Sequence, residues 1–540
     1  MKHFRRKTSS IFIFRRHYSI YISFILGIVG FLLLGSATAW AYYMNLALVD
    51  EQHDAQAEHI AQQDLTTLVV NGNDHDAFMT AFAMGDELFE VQYNALDGVG
   101  ANVGQGQRFS RVPRADLDDE GEWATHYPKR ITGPNAESCN DCHNIPNDDG
   151  AGEAVTNAIR DPFHTGELDS FINRNTPHVF APGAVQLLAE EMTAHFHDVV
   201  DSATERVCQK NRPITRSLRF QRVNFGYIKV TPMSNNPCTV EVDTSHVVGI
   251  DDDLIVRPFQ WKGSVTTLRG FNRDAGHNEL GMQAVEITGA GVDGDFDGVT
   301  DELSVGDITG LTIYLAAQPR PTTLLELDSL GLLDTPLTRE EKHAIRDGRR
   351  VFNQIGCDSC HTPRFKLSNT IFSEPSQNPA YQDVLFPAGQ DPIAEGVDPS
   401  NPITFDITQD QPDNRVMDHH GNMVFHLGAF ATDNRGRAII ELYGDLKRHD
   451  MGPELAEPID DEGIPASVYL TENLWGVGST APYLHDGRAT TLTEAILYHG
   501  GEAENSRIAF ESLSPNERAE LIAFLNNLVL FKMEEGEDEH

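Results

Sequence analysis

Two copies of the pentapeptide Cys-x-x-Cys-His contain four of the six cysteines of this 540-residue chain. The first copy is Cys139-Asn-Asp-Cys142-His143, and the second is Cys357-Asp-Ser-Cys360-His361. The pattern is typical of covalent c-type haem attachment. Both thiols bond to vinyl groups on one edge of the haem, and the neighbouring histidine supplies the proximal nitrogen of the iron. The chain is therefore expected to carry two c-type haems, with His143 and His361 as ligands.

Two other interpretations of Cys-x-x-Cys are a redox dithiol and half of a zinc site. A redox dithiol predicts a thioredoxin-like βαβ context, which neither copy has. A zinc site needs further ligands at close spacing, and neither copy has a second Cys-x-x-Cys within about 20 residues. Haem attachment is the interpretation that the pair favours.

The N-terminus has the outline of an export signal. Basic residues precede a long apolar run from Tyr18 to Ala41, and no acidic residue occurs before Asp50. Cleavage after a small-residue triplet near Ala39 or Ala41 is one outcome. Retention is the other, because the run is long enough to span a bilayer. We expect a periplasmic protein, either soluble or tethered to the inner membrane, which agrees with haem attachment outside that membrane.

The remaining cysteines, Cys208 and Cys238, fit the same compartment. A disulfide between them would close a loop of about 30 residues and stabilise the fold by about 3–4 kcal/mol. Two separate buried thiols are the alternative.

The formal net charge of the chain is −40. This charge disfavours nucleic acid and anionic lipid as partners. It could steer a basic redox partner, but adaptation to a salty habitat explains it equally well.

The separation of the two motifs predicts two cytochrome c-like domains in a mainly α fold. We expect a signal peptide or anchor over residues 1–45, an N-terminal domain over 46–335, a C-terminal domain over 336–533 and an acidic tail over 534–540. Short strands and irregular insertions, for example Phe225–Thr231 and His246–Ile250, would enlarge the first domain. Residues 370–440, rich in Pro, Asn, Asp and Gly, are expected to be mostly loop.

Capping-box patterns mark three helices in the second domain. Thr338 and Glu341 begin a helix that leads to Ile355, just before the second motif. The other two boxes pair Thr491 with Glu494 and Ser514 with Glu517.

The segment from Leu474 to Ala489, with its Ala-Pro-Tyr-Leu-His-Asp-Gly core, and the following run to Gly501 resemble bacterial di-haem cytochrome c peroxidases. Their relatives include the methylamine dehydrogenase maturation enzyme and the di-haem rubber oxygenases. The nearest resemblance is to the di-haem oxidoreductase family, whose members are labelled peroxidase or thiol oxidoreductase. Shorter matching runs begin at Arg174, Val256, Gly281, Ile355 and His449, so the resemblance spans about residues 80–530.

The resemblance implies that the second haem transfers electrons. The peroxidases place its distal ligand on the helix after the His-Asp-Gly run, and the same interval from His485 reaches His499, where the peroxidases have Met. Ligation by His361 and His499 would give a lower potential than His/Met ligation. The alternative is an ordinary histidine at a helix C-terminus.

The first haem, held by His143, would then be the reactive one. The segment from Trp261 to Glu279 resembles the distal segment of the peroxidases. The resemblance implies that Trp261 relays electrons between the haems and that Glu279 serves as acid/base. A core aromatic is the alternative for Trp261. Phe271 stands where the peroxidases have a glutamine, and an apolar distal residue is more typical of an oxygen-binding pocket. Gln283 and Glu286 are further acid/base candidates.

Three other histidines have weaker claims. His164 could be a resting sixth ligand of the first haem, although a surface histidine is the favoured interpretation. His449 and His485 are expected to stabilise turns or hold propionates rather than to catalyse.

An acidic loop suggests calcium. Asp293, Asp295, Asp297 and Asp301 alternate around Gly298, as in calcium-binding loops. The twelfth position is Ser304 rather than Glu, and a solvated acidic turn is the alternative.

The sequence thus predicts an exported di-haem oxidoreductase with peroxidase-like activity. A small cytochrome, a cupredoxin or a quinol would donate electrons, which would reach a small oxidant such as peroxide. The alternatives are a haem-dependent oxygenase acting on an organic substrate such as a polyisoprene, and a cytochrome that only transfers electrons.

Overall fold

The structure is a computed structural model that describes residues 56–99, 135–163, 168–294, 298–383, 386–387, 390–412, 415–417 and 423–532. The predicted leader and the predicted acidic tail lie outside these residues. Within the described ranges, no helix combines the length and the apolar character needed to cross a membrane.

The described residues form α-helices and β-strands in alternating groups along the chain. The helices are α1 (Gln62–Val70), α2 (Asp74–Glu90), α3 (Pro182–Lys210), α4 (Leu268–Ala275), α5 (Val285–Thr288), α6 (Val305–Ala316), α7 (Leu324–Leu330), α8 (Arg339–Gln354), α9 (Leu492–Leu497), α10 (Glu504–Glu511) and α11 (Pro515–Asn526). The strands are β1 (Ala158–Arg160), β2 (Ile172–Arg174), β3 (Ile214–Phe220), β4 (Val223–Asn235), β5 (Cys238–Asp243), β6 (Thr322–Thr323), β7 (Phe365–Leu367), β8 (Ile371–Glu374), β9 (Ile403–Asp406), β10 (Arg415–Met417), β11 (Met423–His426), β12 (Ala438–Ile440), β13 (Arg448–Asp450), β14 (Val468–Leu470) and β15 (Leu528–Val529).

The fold is mixed rather than mainly α, so the predicted fold class is wrong. Helices account for 36% of the described residues and strands for 16%, the latter in several small sheets. Five of the strands, β8 to β12, fall within residues 370–440, but they are short, and the described part of this segment is mostly loop, as expected. Such connections satisfy their backbone hydrogen bonds in short antiparallel pairs, for example β8 with β9, because backbone groups removed from water need partners. The predicted domain boundary at residue 335 stays a prediction.

A three-stranded antiparallel sheet, in the order β3-β4-β5, lies against the long helix α3. Alternate residues of β4, including Phe225, Ile228 and Val230, are buried. The predicted strand Phe225–Thr231 is therefore confirmed. Residues 246–250 form no strand and contribute only the bridge from Val247 to Gly226.

The predicted disulfide between Cys208 and Cys238 is confirmed. It joins α3 to β5 across a Cα–Cα distance of 5.8 Å.

Helices α2 and α6 pack closely against each other in the larger core. A Cβ atom added at Gly85 would lie 2.2 Å from the carbonyl oxygen of Gly310, so only glycine allows this approach. The Tyr314 ring packs edge-on against Phe82 at 5.3 Å and lies 5.6 Å from Phe89. Phe89 in turn lies 5.7 Å from the His143 ring. The α2–α6 pair therefore supports the first Cys-x-x-Cys-His motif from behind.

Helices α8 and α11 form a second, smaller core around Phe352 and Phe524, whose rings lie 5.4 Å apart. A Cβ at Gly348 would lie 1.9 Å from the carbonyl oxygen of Glu520, which again requires glycine at the crossing.

The three predicted capping boxes are confirmed at the start of α8, α9 and α11. Helix α9 ends at Leu497, two residues before His499.

A buried ion cluster anchors α4, which packs against α6. Arg269 is fully buried and contacts Glu286 at 2.5 Å and Glu374 at 2.8 Å. Arg273 contacts Glu286 at 3.1 Å and Asp383 at 2.8 Å. Buried charges are tolerated only when they are paired, so the cluster fixes α4 relative to α5 and β8.

Candidate active site

The first motif lies on the wall of a cavity that encloses about 1250 Å³ of atom-free space, partly open to solvent. One group of lining residues is the motif itself, with Cys139, Cys142 and His143. A second group comes from the chain between Gln260 and Leu280. The other walls are mostly apolar side chains. The cavity is therefore large and apolar and has two thiols and one imidazole on one side.

His143 is oriented by its own loop. Its Nδ1 lies 3.2 Å from the Gly150 carbonyl oxygen, so Nδ1 carries the proton and Nε2 keeps its lone pair. Burial lowers the pKa of His143 to about 4, although the carbonyl groups of Gly150 and Pro177 oppose this shift. A neutral imidazole with an available Nε2 is the form that ligates iron.

The first cysteine of each motif, Cys139 or Cys357, is strongly desolvated. The four motif cysteines form no disulfide. Burial raises the pKa of Cys139 and of Cys357 to about 12 in each case. A redox dithiol needs a thiol pKa below the ordinary value, so these cysteines do not fit that chemistry. Thiols placed in an apolar cavity suit covalent attachment of an apolar group.

The second motif lines a separate cavity with about 1410 Å³ of atom-free space, also partly open. Gly356 ends α8 with φ of 86°, which redirects the chain into Cys357. Cys357, Cys360 and His361 then lie on one wall, and His499 lies on another. Residues Ala495, Ile496 and His499 also line this cavity. The short helix α9 thus brings His499 to the cavity, as the sequence predicted.

The two histidines of the second cavity have the separation that one iron atom requires. Their ring centroids lie 6.4 Å apart. Two metal–nitrogen bonds of about 2 Å, plus about 1.1 Å from each nitrogen to its ring centre, put such centroids about 6 Å apart. The Nδ1 of His361 lies 3.1 Å from the Tyr443 carbonyl oxygen, and that of His499 lies 2.8 Å from the Ala495 carbonyl oxygen. Both Nε2 atoms are therefore the ones with a lone pair, and this cavity fits a bis-histidine haem.

Trp261 lies between the cavities. Among the described lining residues, it alone contributes to both. Its Nε1 donates a hydrogen bond of 2.8 Å to the Asn175 carbonyl oxygen, and its ring lies 6.5 Å from that of His485. The structure thus places Trp261 where the resemblance implied an electron relay.

Glu279 and Phe271 both line the first cavity, so the structure brings these two predicted residues together with His143. Glu279 Oε2 accepts a hydrogen bond of 2.5 Å from Asn135 Nδ2. Burial raises the pKa of Glu279, although the bond from Asn135 opposes this shift. Among the described lining residues of this cavity, His143 is the only histidine.

Sequence reasoning missed Asp274, which lines the same cavity from α4. Burial raises the pKa of Asp274 to about 6, and the positive charge of Arg273, the next largest influence, opposes this shift. The missed signal is the spacing from Phe271, because residues three apart share one face of a helix.

Three weaker acid/base or ligand candidates do not contribute to the described lining of the first cavity. Glu286 is occupied by Arg269 and Arg273. Gln283 bonds to Glu302 and Gly294. His164 lies outside the described residues.

His449 and His485 both line the second cavity. Burial lowers the pKa of His449, but the hydrogen bonds to Asp445 and Cys360 outweigh it and raise the value to about 11. Burial lowers the pKa of His485 to about 4, and its ring stacks on Tyr469 at 4.4 Å. Both histidines are held by neighbouring side chains, consistent with the predicted structural role.

The predicted calcium loop is described only in part, because Asp295 and Asp297 lie outside the described residues. Asp293 Oδ2 accepts a hydrogen bond from Gly298 N at 3.0 Å, and Asp301 Oδ1 accepts one from Gly291 N at 2.6 Å. These bonds are those of an acidic turn, and calcium stays a prediction.

The comparisons with known proteins agree with the predicted family over one segment. Residues 427–528 match the family model described as "Di-haem oxidoreductase, putative peroxidase". The resemblance to di-haem oxidoreductases is confirmed there, whereas similarity to rubber oxygenases is not shown. The matched segment contains His485 and His499 but neither Cys-x-x-Cys-His motif.

The other comparisons add little. No curated protein matches the chain. A solved structure, described as that of a MauG-like protein associated with microbial copper homeostasis, is 15% identical. The alignment covers 50% of this chain and 68% of that chain, and the TM-score is 0.24, too low to support an argument about fold.

Proposed function

We propose that this protein is an exported di-haem c-type oxidoreductase that reduces peroxide. The observation that carries the proposal is the contrast between the cavities: His361 and His499 have the spacing of a bis-histidine iron site, with centroids 6.4 Å apart. The first cavity has one histidine among its described lining residues, and it has carboxyl groups. An iron held by two histidines, as proposed for the second cavity, suits electron transfer. An iron held by one histidine, as proposed for the first cavity, leaves a coordination position for the oxidant.

The residues of the chain would have separate tasks in this function. Cys139 with Cys142, and Cys357 with Cys360, would attach the haems. The haem groups, when bound, supply the electron transfer and the cleavage of the oxygen–oxygen bond.

Other residues position and protect these groups. His143 would ligate the iron of the first haem, and no second histidine among the described lining residues of that cavity would compete with the oxidant. Trp261 would provide an aromatic bridge between the cavities. Phe271 and the apolar walls of the first cavity would limit the access of water, and a carboxyl group would move protons. A small cytochrome, a cupredoxin or a quinol would deliver electrons at the second site.

The test is spectroscopic and kinetic and uses the exported full chain. We expect two covalent haems by haem stain and mass, one low-spin and one that responds to carbon monoxide. Hydrogen peroxide should oxidise a reduced small cytochrome or a quinol in the presence of the protein.

Two results would contradict the proposal. If both haems were low-spin and ignored peroxide, carbon monoxide and oxygen, the protein would only transfer electrons. If oxygen uptake required an organic substrate such as polyisoprene, and peroxide were not turned over, the protein would be an oxygenase.

A further inference from the structure

We propose that Asp274 is the catalytic acid/base of the first cavity, and that Glu462, which Arg160 holds beside the cavity, exchanges protons between Asp274 and solvent. The inference rests on the proposed function and deepens it, because it names the group that exchanges protons with the oxidant. It also replaces Glu279, the residue that the sequence favoured for this role.

The first argument is position. Helix α4 is capped by Thr267, whose side chain accepts a hydrogen bond from Gly270 N, so its register is fixed. This register places Phe271 and Asp274 three residues apart, and both line the cavity of His143. The buried ion pairs of Arg269 and Arg273 hold the same helix in place. Asp274 is therefore presented to the cavity by a rigid element.

The second argument is the hydrogen bonding of the two carboxyl groups. Glu279 Oε2 accepts the 2.5 Å bond from Asn135 Nδ2, and the Glu279 carbonyl oxygen accepts bonds from the backbone N–H groups of Asn135 and Ala136. These bonds tie Glu279 to the chain just before the first motif. By contrast, the Asp274 carboxyl group accepts no hydrogen bond from the residues that the structure describes. Its oxygen atoms remain available to a molecule in the cavity.

The third argument is the charge around Asp274. Arg273 on its own helix and Arg160 on β1 favour the ionised form, whereas Asp383 and Glu462 oppose it. Burial is the largest influence on the pKa of Asp274, and the four surrounding charges partly offset one another. The group can therefore hold or release its proton near neutral pH, as an acid/base catalyst must.

The fourth argument is a route to solvent. Arg160 lines the cavity, and its Nη2 lies 3.4 Å from Glu462 Oε1. The side-chain amide of Gln260, another lining residue, lies 3.0 Å from the same oxygen. The Glu462 side chain is 31% exposed, so it can exchange protons with bulk water.

The proton balance of the reaction defines the role. Reduction of one hydrogen peroxide breaks the oxygen–oxygen bond, takes up two electrons from the donor and two protons, and yields two waters. Asp274 would give a proton to the departing oxygen and regain it from solvent through water and Glu462; Arg160 stays protonated and only orients Glu462.

The experiment compares Asp274→Asn with Glu279→Gln, two isosteric changes in one cavity, in the haem-loaded full chain. One measurement is the rate of peroxide reduction. The other is the rate of cyanide binding between pH 4.5 and 8.5, followed by absorption. Hydrogen cyanide binds ferric haem as the anion, so its rate reports the group that accepts the proton, independently of turnover.

We expect Asp274→Asn to slow peroxide reduction by about 10²-fold, the usual contribution of an acid/base group, and Glu279→Gln to slow it less than tenfold. The wild-type rate of cyanide binding should show an inflection near pH 6. Glu279→Gln should retain this inflection and Asp274→Asn should lose it. Glu462→Gln, outside the described lining, should lower steady-state turnover and keep an inflection in the rate of cyanide binding, shifted to lower pH because the charge of Glu462 raises the pKa of Asp274.

The proposal is overturned if Glu279→Gln abolishes the pH inflection. That result would count against the proposal even if Asp274→Asn failed to fold. Equal peroxide rates in Asp274→Asn and wild type would also overturn it while leaving the peroxidase assignment intact. A wild-type protein that binds neither cyanide nor peroxide would instead overturn the proposed function, and this inference with it.

Discussion

The two Cys-x-x-Cys-His motifs are nearly identical as sequences, but their cavities differ. The second cavity opposes His361 with His499 at 6.4 Å between ring centroids. The first cavity combines His143 with Phe271, Asp274 and Glu279. The proposed attachment chemistry is the same in both cavities, and the residues brought in from distant parts of the chain make the difference. The comparison indicates that the function of such a site depends on the residues that line the cavity opposite the motif.

The largest expected effect comes from removing one pair of motif cysteines at a time. Cys139→Ser with Cys142→Ser should abolish the haem that responds to peroxide and carbon monoxide. Cys357→Ser with Cys360→Ser should abolish the low-spin haem. Mass spectrometry of the intact chain and the haem absorption spectrum measure both losses.

The other cysteine pair provides the matched control. Cys208→Ser with Cys238→Ser should retain both haems and lower the free energy of unfolding by about 2–4 kcal/mol. If either motif variant kept both covalent haems, the assignment of that motif would be wrong.

The next effect concerns His499 alone. His499→Ala should convert the second haem from low-spin to high-spin, because the iron would lose its sixth ligand. His499→Met should keep it low-spin and raise its potential, since thioether ligation raises the potential of haem iron. Absorption spectra and a redox titration provide the measurements.

His75→Ala, a change at an exposed histidine, is the control and should leave both properties unchanged. A second haem that stays low-spin and keeps its potential in His499→Ala would remove the proposed difference between the cavities.

The cores behind the cavities should respond separately. Phe82→Ala in the larger core and Phe352→Ala in the smaller one should each lower the free energy of unfolding by about 3–5 kcal/mol. Phe82 acts through Tyr314 and Phe89 on the first site, whereas Phe352 lines the second cavity. Chemical denaturation and the two haem spectra together measure these effects.

Phe163 is 57% exposed, so Phe163→Ala should change stability by less than about 0.5 kcal/mol. Equal disturbance of both haem spectra by either core variant would show that the two regions do not respond separately.

The smallest expected effect is a pH dependence at Glu472 in the second cavity. Burial raises its pKa from 4.5 to about 7. A carboxyl group with a raised folded-state pKa contributes its full stability below pH 4.5 and loses that contribution as the pH rises to about 7. Wild type should therefore lose stability relative to Glu472→Gln over this interval, as measured by thermal unfolding.

A matched variant tests the origin of this effect. The control variant is Glu441→Gln, because Glu441 is an exposed glutamate. The stability of this variant should follow the wild-type pH profile. A Glu472→Gln profile parallel to wild type between pH 4.5 and 7 would contradict the buried assignment.

Local patterns were the most predictable part of the fold. The capping boxes at Thr338, Thr491 and Ser514 need only residues three apart, and all three are present. The Cys208–Cys238 disulfide could be expected because few other cysteines were available. The fold class was predicted wrongly, because two-residue and three-residue strands such as β6 and β7 are shorter than any sequence pattern that identifies them.

The candidate site was predictable only in part. His499 and Trp261 could be placed by their spacing from recognisable runs, and both line the expected cavities. Asp274 could not, because its significance depends on burial and on Arg160, which lies 114 positions earlier in the chain.

The sequence alone determined the local pattern of the two proposed attachment sites, because covalent haem binding needs only two thiols and an imidazole at fixed local spacing. Tertiary structure decided that a second histidine, His499, lines the cavity of the second motif, whereas the described lining of the first cavity has His143 alone. That difference depends on His499, Trp261 and Asp274, which are remote in sequence and meet the motifs only when the helices and small sheets pack. Local spacing encodes attachment, whereas axial ligation, proton supply and access depend on side chains brought together by the fold.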